Sequence, residues 1–249
     1  MRRLFHLSYL IILLFFFGCS SAPSKKYRIA IDMSWYSLDT MEKGQNITGF
    51  SREILEQMAI LEKMEIELIP VNWDYLMEGL LKKNNDAILT SLPPLVIYQD
   101  VYQFSDLYLA TGPCIVLRLG ESIKNLSDLN GKEIAIQYGD LQSMQVLQRI
   151  PNILIRNYDM IPKALNATVH DQIDGVCISA LGAWSYCRDL YSDSLHVVLG
   201  PLNDSGLRLV TTKDSSKFLI RKFNHTIREL KTSGKYSMLL EKWSLGPQG

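Results

Sequence analysis

Residues 86–100 read DAILTSLPPLVIYQD, a stretch in which the end of a buried strand runs into a loop stiffened by proline. Residues 87–90 are predicted to form a short strand, and two hydroxyl residues, Thr90 and Ser91, stand at its end. Pro93 and Pro94 then stop both a strand ladder and a helix. Rigid loops that leave a sheet commonly carry binding residues, so Thr90, Ser91 and Leu92 are candidate ligand contacts.

Strands and helices alternate on both sides of this stretch. The first series predicts strands at residues 27–32, 66–71 and 87–90, with helices at 49–64 and 75–83. The second predicts strands at residues 133–137, 153–156 and 175–178, with helices at 141–149 and 160–167. Strands at 195–199 and 207–211 and helices at 215–231 and 236–243 complete the chain. Two β-α-β-α-β series indicate an α/β protein of two lobes, each built on a mostly parallel sheet.

Polar residues follow the predicted strands of both series. Asp32 and Thr90 lie at strand ends of the first series, and Ser179 and the segment QYGD (137–140) lie at strand ends of the second. In open α/β sheets, ligands sit beyond the carboxyl ends of the strands. We therefore expect these four strand ends, with Asp32, Thr90-Ser91, Gln137 to Asp140 and Ser179, to face one cleft between the lobes.

The N-terminus is predicted to be a targeting segment. Arg2 and Arg3 precede an apolar run over residues 10–17, which is typical of a secretory signal of residues 1–18 and too short for a membrane span. Cys19 follows Gly18 directly and resembles the lipidated cysteine of a bacterial lipobox, with residues 19–26 as a tether. This predicts a protein held by lipid to a bacterial membrane, in the periplasm or cell envelope. The alternative is a simple signal peptide or an anchor helix.

The charge balance argues against a polyanionic partner. Without residues 1–18 the chain keeps 24 basic and 26 acidic residues, a net charge of −2. Binding to nucleic acid is therefore not expected. Cys114, Cys177 and Cys187 permit one disulfide in an oxidising compartment, but the sequence does not select the pair.

Five ordered motifs carry a family resemblance that covers nearly all of residues 27–245. They are NITGF (46–50), VNWDYL (71–76), FSDLY (104–108), LSDLNGK (126–132) and SGKY with EKW (233–236 and 241–243). Together they resemble the bacterial family-three extracellular solute-binding proteins, the receptors of polar amino-acid ABC importers.

This resemblance implies the two-lobed periplasmic-binding-protein (type II) fold. Lobe one would comprise residues 27–110 and 203–245, and lobe two residues 111–202 with the hinge segments. Two crossing strands, near residues 110–113 and 200–202, would form the hinge. A small polar solute, such as an amino acid, would be trapped between the lobes of a monomer, and a membrane permease would read the closed form. The family implies no cofactor.

Four positions depart from the family pattern at its ligand contacts. Tyr98 stands where an arginine grips the ligand carboxylate, and Pro93 replaces a hydroxyl in the preceding turn. Asp140-Leu141 replaces a threonine at a helix N-terminus, and Ser179 replaces an aspartate that takes the α-ammonium. Loss of a bidentate arginine costs about 3–6 kcal/mol, or roughly a hundredfold or more in affinity.

Two of the charged residues have alternative interpretations. Asp140 either repels a ligand carboxylate at its helix start or simply caps the helix. Arg208 is expected at the surface, and the alternative is that it reaches the cleft in place of the missing arginine.

The remaining cleft candidates are aromatic and acidic. Asp32 matches the acid that takes a cationic side chain in the basic-amino-acid receptors, and Trp35 matches the aromatic residue on which ligands stack. Trp73, Tyr98 and Tyr138 are expected nearby. Stacking combined with a carboxylate suits a cationic or peptide-like ligand. The alternative is that Trp35 and Trp73 are packing residues.

Two other functional classes compete with a transport receptor. An enzyme needs a placed acid and base, but His170, His196 and His225 lie away from strand ends, and no His/Cys/acid group has metal-ligand spacing. We therefore predict neither catalysis nor a metal. The second class is a ligand-sensing or interaction lipoprotein with a degenerate amino-acid pocket, which the missing arginine favours.

Overall fold

The first sheet is built around strand β1, which ends one residue before Asp32. The structure is a computed structural model that describes residues 25–35, 41–215 and 217–246. The strands are β1 (Lys26–Ile31), β2 (Glu65–Pro70), β3 (Ala87–Thr90), β4 (Tyr102–Phe104), β5 (Leu109–Ala110) and β11 (Gly206–Thr212). Their order is β2-β1-β3-β11-β4, with β5 also paired to β11. β1 pairs in parallel with β2 and β3, whereas β11 runs against its neighbours.

Helices cover this sheet and complete the first lobe. They are α1 (Gly44–Glu62), α2 (Trp73–Leu81), the single turn α3 (Val96–Gln99), α7 (Lys217–Thr232) and α8 (Lys235–Lys242). Phe50, Ile54 and Met58 recur at helical spacing on α1 and are fully buried against the sheet and α7. Phe223 and Ile227 of α7 enter the same core. Among the described residues, no helix combines the length and apolar character that crossing a bilayer requires.

The second sheet has the same parallel interior. Its strands are β6 (Pro113–Arg118), β7 (Glu133–Gln137), β8 (Leu154–Tyr158), β9 (Gly175–Ser179) and β10 (Leu195–Leu199). Their order is β10-β6-β9-β7-β8, and β7 is parallel to β8 and β9. β6 runs against both β9 and β10. The helices of this second lobe are α4 (Leu141–Leu147), α5 (Ile161–Val169) and α6 (Ala180–Asp189).

Both sheets confirm the predicted α/β class with parallel strands at the centre. The predicted start of α1 at Gly49 was wrong, because the helix begins at Gly44. Gly49 lies inside the helix, where a Cβ atom would overlap the ring of Trp243. A glycine that sequence reasoning treats as a helix start is thus a close-packing position. Strand β6 and helix α6 were not predicted.

The chain crosses between the two sheets at two points. It passes through Thr111 and Gly112 from β5 to β6, and it returns through residues 200–205 from β10 to β11. The amide of Thr111 donates to the carbonyl of Ser205 at 2.9 Å, and the amide of Leu202 donates to the carbonyl of Pro113 at 2.8 Å. The two crossings therefore lie side by side.

Candidate functional site

The carboxyl ends of β1 and β2 form one wall of the candidate cleft. A cavity lies over them, the first-lobe cavity, lined by Asp32, Met33, Ser34, Pro70, Val71, Asn72, Trp73 and Asp74. The side chain of Asp32 is almost fully buried, and its Oδ1 accepts hydrogen bonds from the amide of Ser34 at 3.0 Å and the hydroxyl of Ser34 at 2.7 Å. These bonds fix the Asp32 carboxylate at the strand end, where Trp73 is half-buried beside it.

Trp35 lies in the first-lobe core and not on this wall. Its side chain is only 2% exposed. The indole Nε1 donates to the Thr48 hydroxyl at 3.1 Å and to the carbonyl of Gly44 at 3.2 Å. The structure therefore places Trp35 as a packing residue.

The predicted contacts in the proline loop are not among the residues that line either cavity. Thr90 is buried, and its hydroxyl accepts a hydrogen bond from the amide of Leu92 at 3.2 Å. Ser91 and Leu92 are half-buried, and Tyr98 packs its ring edge-on against Tyr102, with 6.4 Å between ring centroids. Neither cavity is lined by Thr90, Ser91, Leu92 or Tyr98.

The carboxyl ends of β7 and β9 form the facing wall. A cavity of about 320 Å³, the second-lobe cavity, is lined by Met41, Thr111, Pro113, Gln137, Tyr138, Gly139, Asp140, Gln142, Ile161, Ile178, Ser179 and Gly182. The structure thus brings together the predicted residues Gln137, Asp140 and Ser179. Leu141 stands beside them, 65% exposed, and does not line the cavity.

Asp140 caps helix α4. Its Oδ1 accepts the amide of Ser143 at 3.0 Å, and the Ser143 hydroxyl donates to Oδ2 at 2.6 Å. The capping interpretation of Asp140 is therefore the one that the structure shows. Its carboxylate also lines the second-lobe cavity and brings negative charge there.

Ser179 caps helix α6 in the same way. Its hydroxyl accepts the amide of Gly182 at 3.4 Å, and the amide of Ala180 donates to the carbonyl of Gly112 at 3.0 Å. Two amides at this helix start, those of Ala180 and Gly182, thus donate to the protein's own acceptors.

The sequence reasoning missed Met41, Thr111 and Gln142 in this wall. Gln142 follows Asp140 by two residues in the first turn of α4, so the position of that turn beyond β7 was the available signal. Met41 gives no sequence signal, because it comes from the first lobe and reaches the second-lobe cavity only through the fold.

The expected surface position of Arg208 was wrong, and the guanidinium does not line either cavity. Its side chain is 7% exposed on β11 and is paired with the Asp204 carboxylate at 2.5 Å. The Arg208 Nη1 also donates to the carbonyl of Ser105 at 2.9 Å. Arg208 therefore makes its polar contacts within the first lobe.

The described histidine and cysteine residues do not line either cavity. No group of three or more His, Cys, Asp or Glu residues in this part of the chain is placed to hold a metal ion. The rings of His170, His196 and His225 bond to Asn166, Glu121 and Glu62 respectively, outside both cavities. Cys114, Cys177 and Cys187 are all free thiols. The signal segment and Cys19 lie outside the described residues.

The chain has recognisable relatives among known proteins. The profile of the bacterial extracellular solute-binding proteins, family 3, matches residues 27–246. The arginine-binding extracellular protein ArtP of Bacillus subtilis is 26% identical over 231 residues, which cover 91% of this chain and 89% of ArtP. The L-cystine-binding protein TcyJ of Escherichia coli is 25% identical over 201 residues, which cover 79% of this chain and 74% of TcyJ.

A solved structure supports the fold itself. The unliganded open form of the L-cystine solute receptor of Neisseria gonorrhoeae aligns with a TM-score of 0.69 at 18% identity, covering 91% of this chain and 97% of that one. The type II periplasmic-binding-protein fold is thereby confirmed. The chain belongs to the bacterial extracellular solute-binding proteins, family 3.

Proposed function

We propose that this protein is the receptor of an ABC importer, and that it binds an amino acid or a related small polar solute between its lobes and presents it to the permease. The observation that carries this proposal is the pair of cavities at the carboxyl ends of β1–β2 and β7–β9. Family membership and the arginine- and cystine-binding relatives support the same role. The proposed solute contacts are Asp32, Trp73, Gln137, Asp140 and Ser179, joined by Gln142.

The geometry supports a receptor that closes on its solute. The two cavities lie at strand ends of different lobes, and Met41 of the first lobe also lines the second-lobe cavity. The two adjacent crossings through Thr111 and residues 200–205 would serve as the hinge between residues 27–110 with 203–245 and residues 111–202. Binding would shift the population toward a closed form that joins both walls into one site.

A lipid anchor and an envelope location form part of the proposal. Gly18-Cys19 is the motif that supports it. Treatment with globomycin or a Cys19→Ala change should alter the processing of the precursor. An unlipidated product of unchanged mobility would rule out the anchor and favour a simple signal peptide.

A binding role without catalysis is proposed, in agreement with a family of substrate-binding proteins. The cavity walls hold carboxylates, amides and hydroxyls, and the histidines bond elsewhere. A monomer is proposed because one chain supplies both walls.

A second candidate is a ligand-sensing or interaction lipoprotein that has lost its transport role, and Tyr98 is the residue that favours it. Uptake assays separate the two candidates. A thermal-shift screen of amino acids and amines should identify stabilising solutes, and deletion of the gene should abolish their high-affinity uptake. Stabilisation without any uptake defect would favour the sensing role over the import role.

A further inference from the structure

We propose that the cleft recognises its solute through positive charge and makes no ionic contact with a carboxylate, so that it prefers an amine to the corresponding amino acid. This inference rests on the proposed function and deepens it by naming the substrate class. Its basis is the charge of the groups that line the two cavities.

The two walls carry acids and no bases. Asp32 and Asp74 line the first-lobe cavity, and Asp140 lines the second-lobe cavity. Among the described residues that line either cavity, none is lysine, arginine or histidine.

The segment from β3 to β6, in which Tyr98 stands in place of the expected arginine, contains no basic residue before Arg118. No lysine, arginine or histidine occurs between Lys83 and Arg118, a stretch that includes β3, the proline loop and the first crossing. Arg118 lies at the far end of β6, where its guanidinium bonds to the carbonyls of Thr168 and Ile173. A closing motion of the lobes therefore brings no base from this segment to the solute.

The cations beside the cleft are already paired. Lys43, two residues after the cavity residue Met41, is 4.0 Å from the carboxylate of Asp189. Arg208 is held by Asp204 inside the first lobe. Recruiting Arg208 to a ligand would break its ion pair, whereas Lys43 shares Asp189 with Arg188 and is not among the residues that line either cavity.

The helix starts in the second-lobe wall are less favourable to a carboxylate than an uncapped helix N-terminus. The Asp140 carboxylate occupies the start of α4, so an anion arriving there would meet a like charge. At the start of α6, the amides of Ala180 and Gly182 already donate to Gly112 and Ser179. A solute carboxylate thus finds no base among the described lining residues to replace the water that it loses.

Both walls, in contrast, carry acidic and aromatic side chains that can bind a cation. The Asp32 carboxylate is 3% exposed, so its field is less screened by solvent than that of a surface acid. Trp73 lies in the same cavity and offers an aromatic face for a cation. Tyr138 and Asp140 line the opposite wall and can take a second cationic group of an extended solute.

Matched titrations test this inference directly. Protein secreted and processed through its own leader is dialysed to remove bound solute and titrated calorimetrically with arginine and agmatine, cystine and cystamine, and histidine and histamine. Each pair differs in its α-carboxylates. We expect at least one amine to bind tenfold or more tightly than its parent amino acid, a difference of about one charge-assisted hydrogen bond. An amino acid that binds as tightly as its amine, or more tightly, would overturn the inference.

The solute released from untreated protein distinguishes this inference from the proposed function. If none of the six compounds binds, mass spectrometry of the released solute decides: an amine without a carboxylate supports the inference. A released amino acid overturns the inference and leaves the receptor role intact. If no solute is released and deletion of the gene causes no uptake defect, the receptor role fails, and the inference fails with it.

Substitution of the buried acid provides the residue-level test. Asp32→Asn should weaken binding of the preferred amine at least tenfold, whereas Asp193→Asn, a change of the same kind at an exposed position of the second lobe, should leave it unchanged. Circular dichroism and thermal unfolding establish that both variants fold. If Asp32→Asn does not fold, Asp74→Asn at the exposed edge of the same cavity replaces it, with an expected loss of about threefold. Unchanged amine affinity in a folded Asp32→Asn protein would contradict the inference.

Discussion

The side chain of Gln142 connects the second lobe to the returning crossing, because its Oε1 accepts the hydroxyl of Ser205 at 2.9 Å. The side-chain Nδ2 of Asn203 donates to the same oxygen at 3.3 Å. Gln142 also lines the second-lobe cavity, whereas Ser205 does not. Gln142 therefore belongs to the candidate solute site and also contacts the returning crossing.

Removing the Ser205 hydroxyl should favour closure. A hydrogen bond of this kind contributes about 0.5–1.5 kcal/mol, so Ser205→Ala should tighten solute binding by about 2–10-fold if closure of the lobes breaks the bond. Calorimetry with the solute from the thermal-shift screen measures the effect. Ser194→Ala, a change of the same kind that keeps the backbone bonds of that turn, is the control. Weaker binding by Ser205→Ala would show that the bond persists in the closed form.

Gly49 and Trp243 bring the first and last sequence motifs into contact. A Cβ atom on Gly49 would overlap the Trp243 ring, whose Nε1 donates to the Glu53 carboxylate at 2.7 Å. Gly49→Ala should therefore lower the free energy of unfolding by about 1–3 kcal/mol through overpacking. On the same helix, a Cβ on Gly44 would meet Trp35 at 3.9 Å, so Gly44→Ala is the matched control and should not destabilise. Equal stability of the two variants in urea would contradict this packing.

Glu62 should give the protein a defined acid sensitivity. Its side chain is 4% exposed and accepts hydrogen bonds from Lys222 Nζ and His225 Nδ1, each at 2.6 Å. Burial alone would raise the pKa of Glu62, but the bonds from Lys222 and His225 outweigh burial and lower that pKa below its ordinary 4.5. The carboxylate therefore stabilises the fold above about pH 4.5, and this contribution is lost as the pH falls through the lowered pKa.

Glu62→Gln measures that contribution. The variant should lose about 1.5–3 kcal/mol of unfolding free energy at pH 7, and its deficit relative to the parent should shrink as the pH falls below 4.5. Glu229→Gln, which alters an exposed neighbour of His225 on α7, should change stability little. A deficit that stays constant from pH 7 to pH 3 would contradict this assignment.

The three described cysteines should remain reduced and unreactive in the folded protein. Burial raises the pKa of Cys114 and Cys177 to about 12 and that of Cys187 to about 11, so almost no thiolate forms at pH 8. Cys177 of β9 pairs with Ile115 of β6 and shares its face of the sheet. Cys114 precedes Ile115 and therefore points to the opposite face, so the two thiols lie on opposite sides of the sheet. Labelling with a thiol reagent should be slow before unfolding and complete after it. A disulfide among them in mass spectra of the secreted protein would contradict this.

Much of the fold follows from local pattern. Strands β3 and β7 have the predicted limits, because a short apolar run bounded by polar residues specifies a buried strand. The missed β6 starts at Pro113, which argues locally against a strand, yet it pairs with both β9 and β10. Tertiary pairing decides such a segment, and one sequence does not display it.

The site was predictable at strand ends and much less so in loops. Asp32, Gln137, Asp140 and Ser179 line the cavities as the rule for strand ends predicts, whereas Thr90 and Ser91, at the end of β3, line neither. Trp35 was assigned to the ligand, but its indole turns inward to Thr48, and that direction is set by packing partners far along the chain. The same limit applies to Met41, which reaches the opposite lobe.

The most direct test of the account is the identity of the solute that leaves the cleft. Protein purified without refolding is unfolded, and the released small molecules are identified by mass spectrometry against a sample from the Asp32→Asn variant. The account predicts an amine that carries no free α-carboxylate and is depleted in the variant. A free α-amino acid, released equally from both proteins, would contradict it.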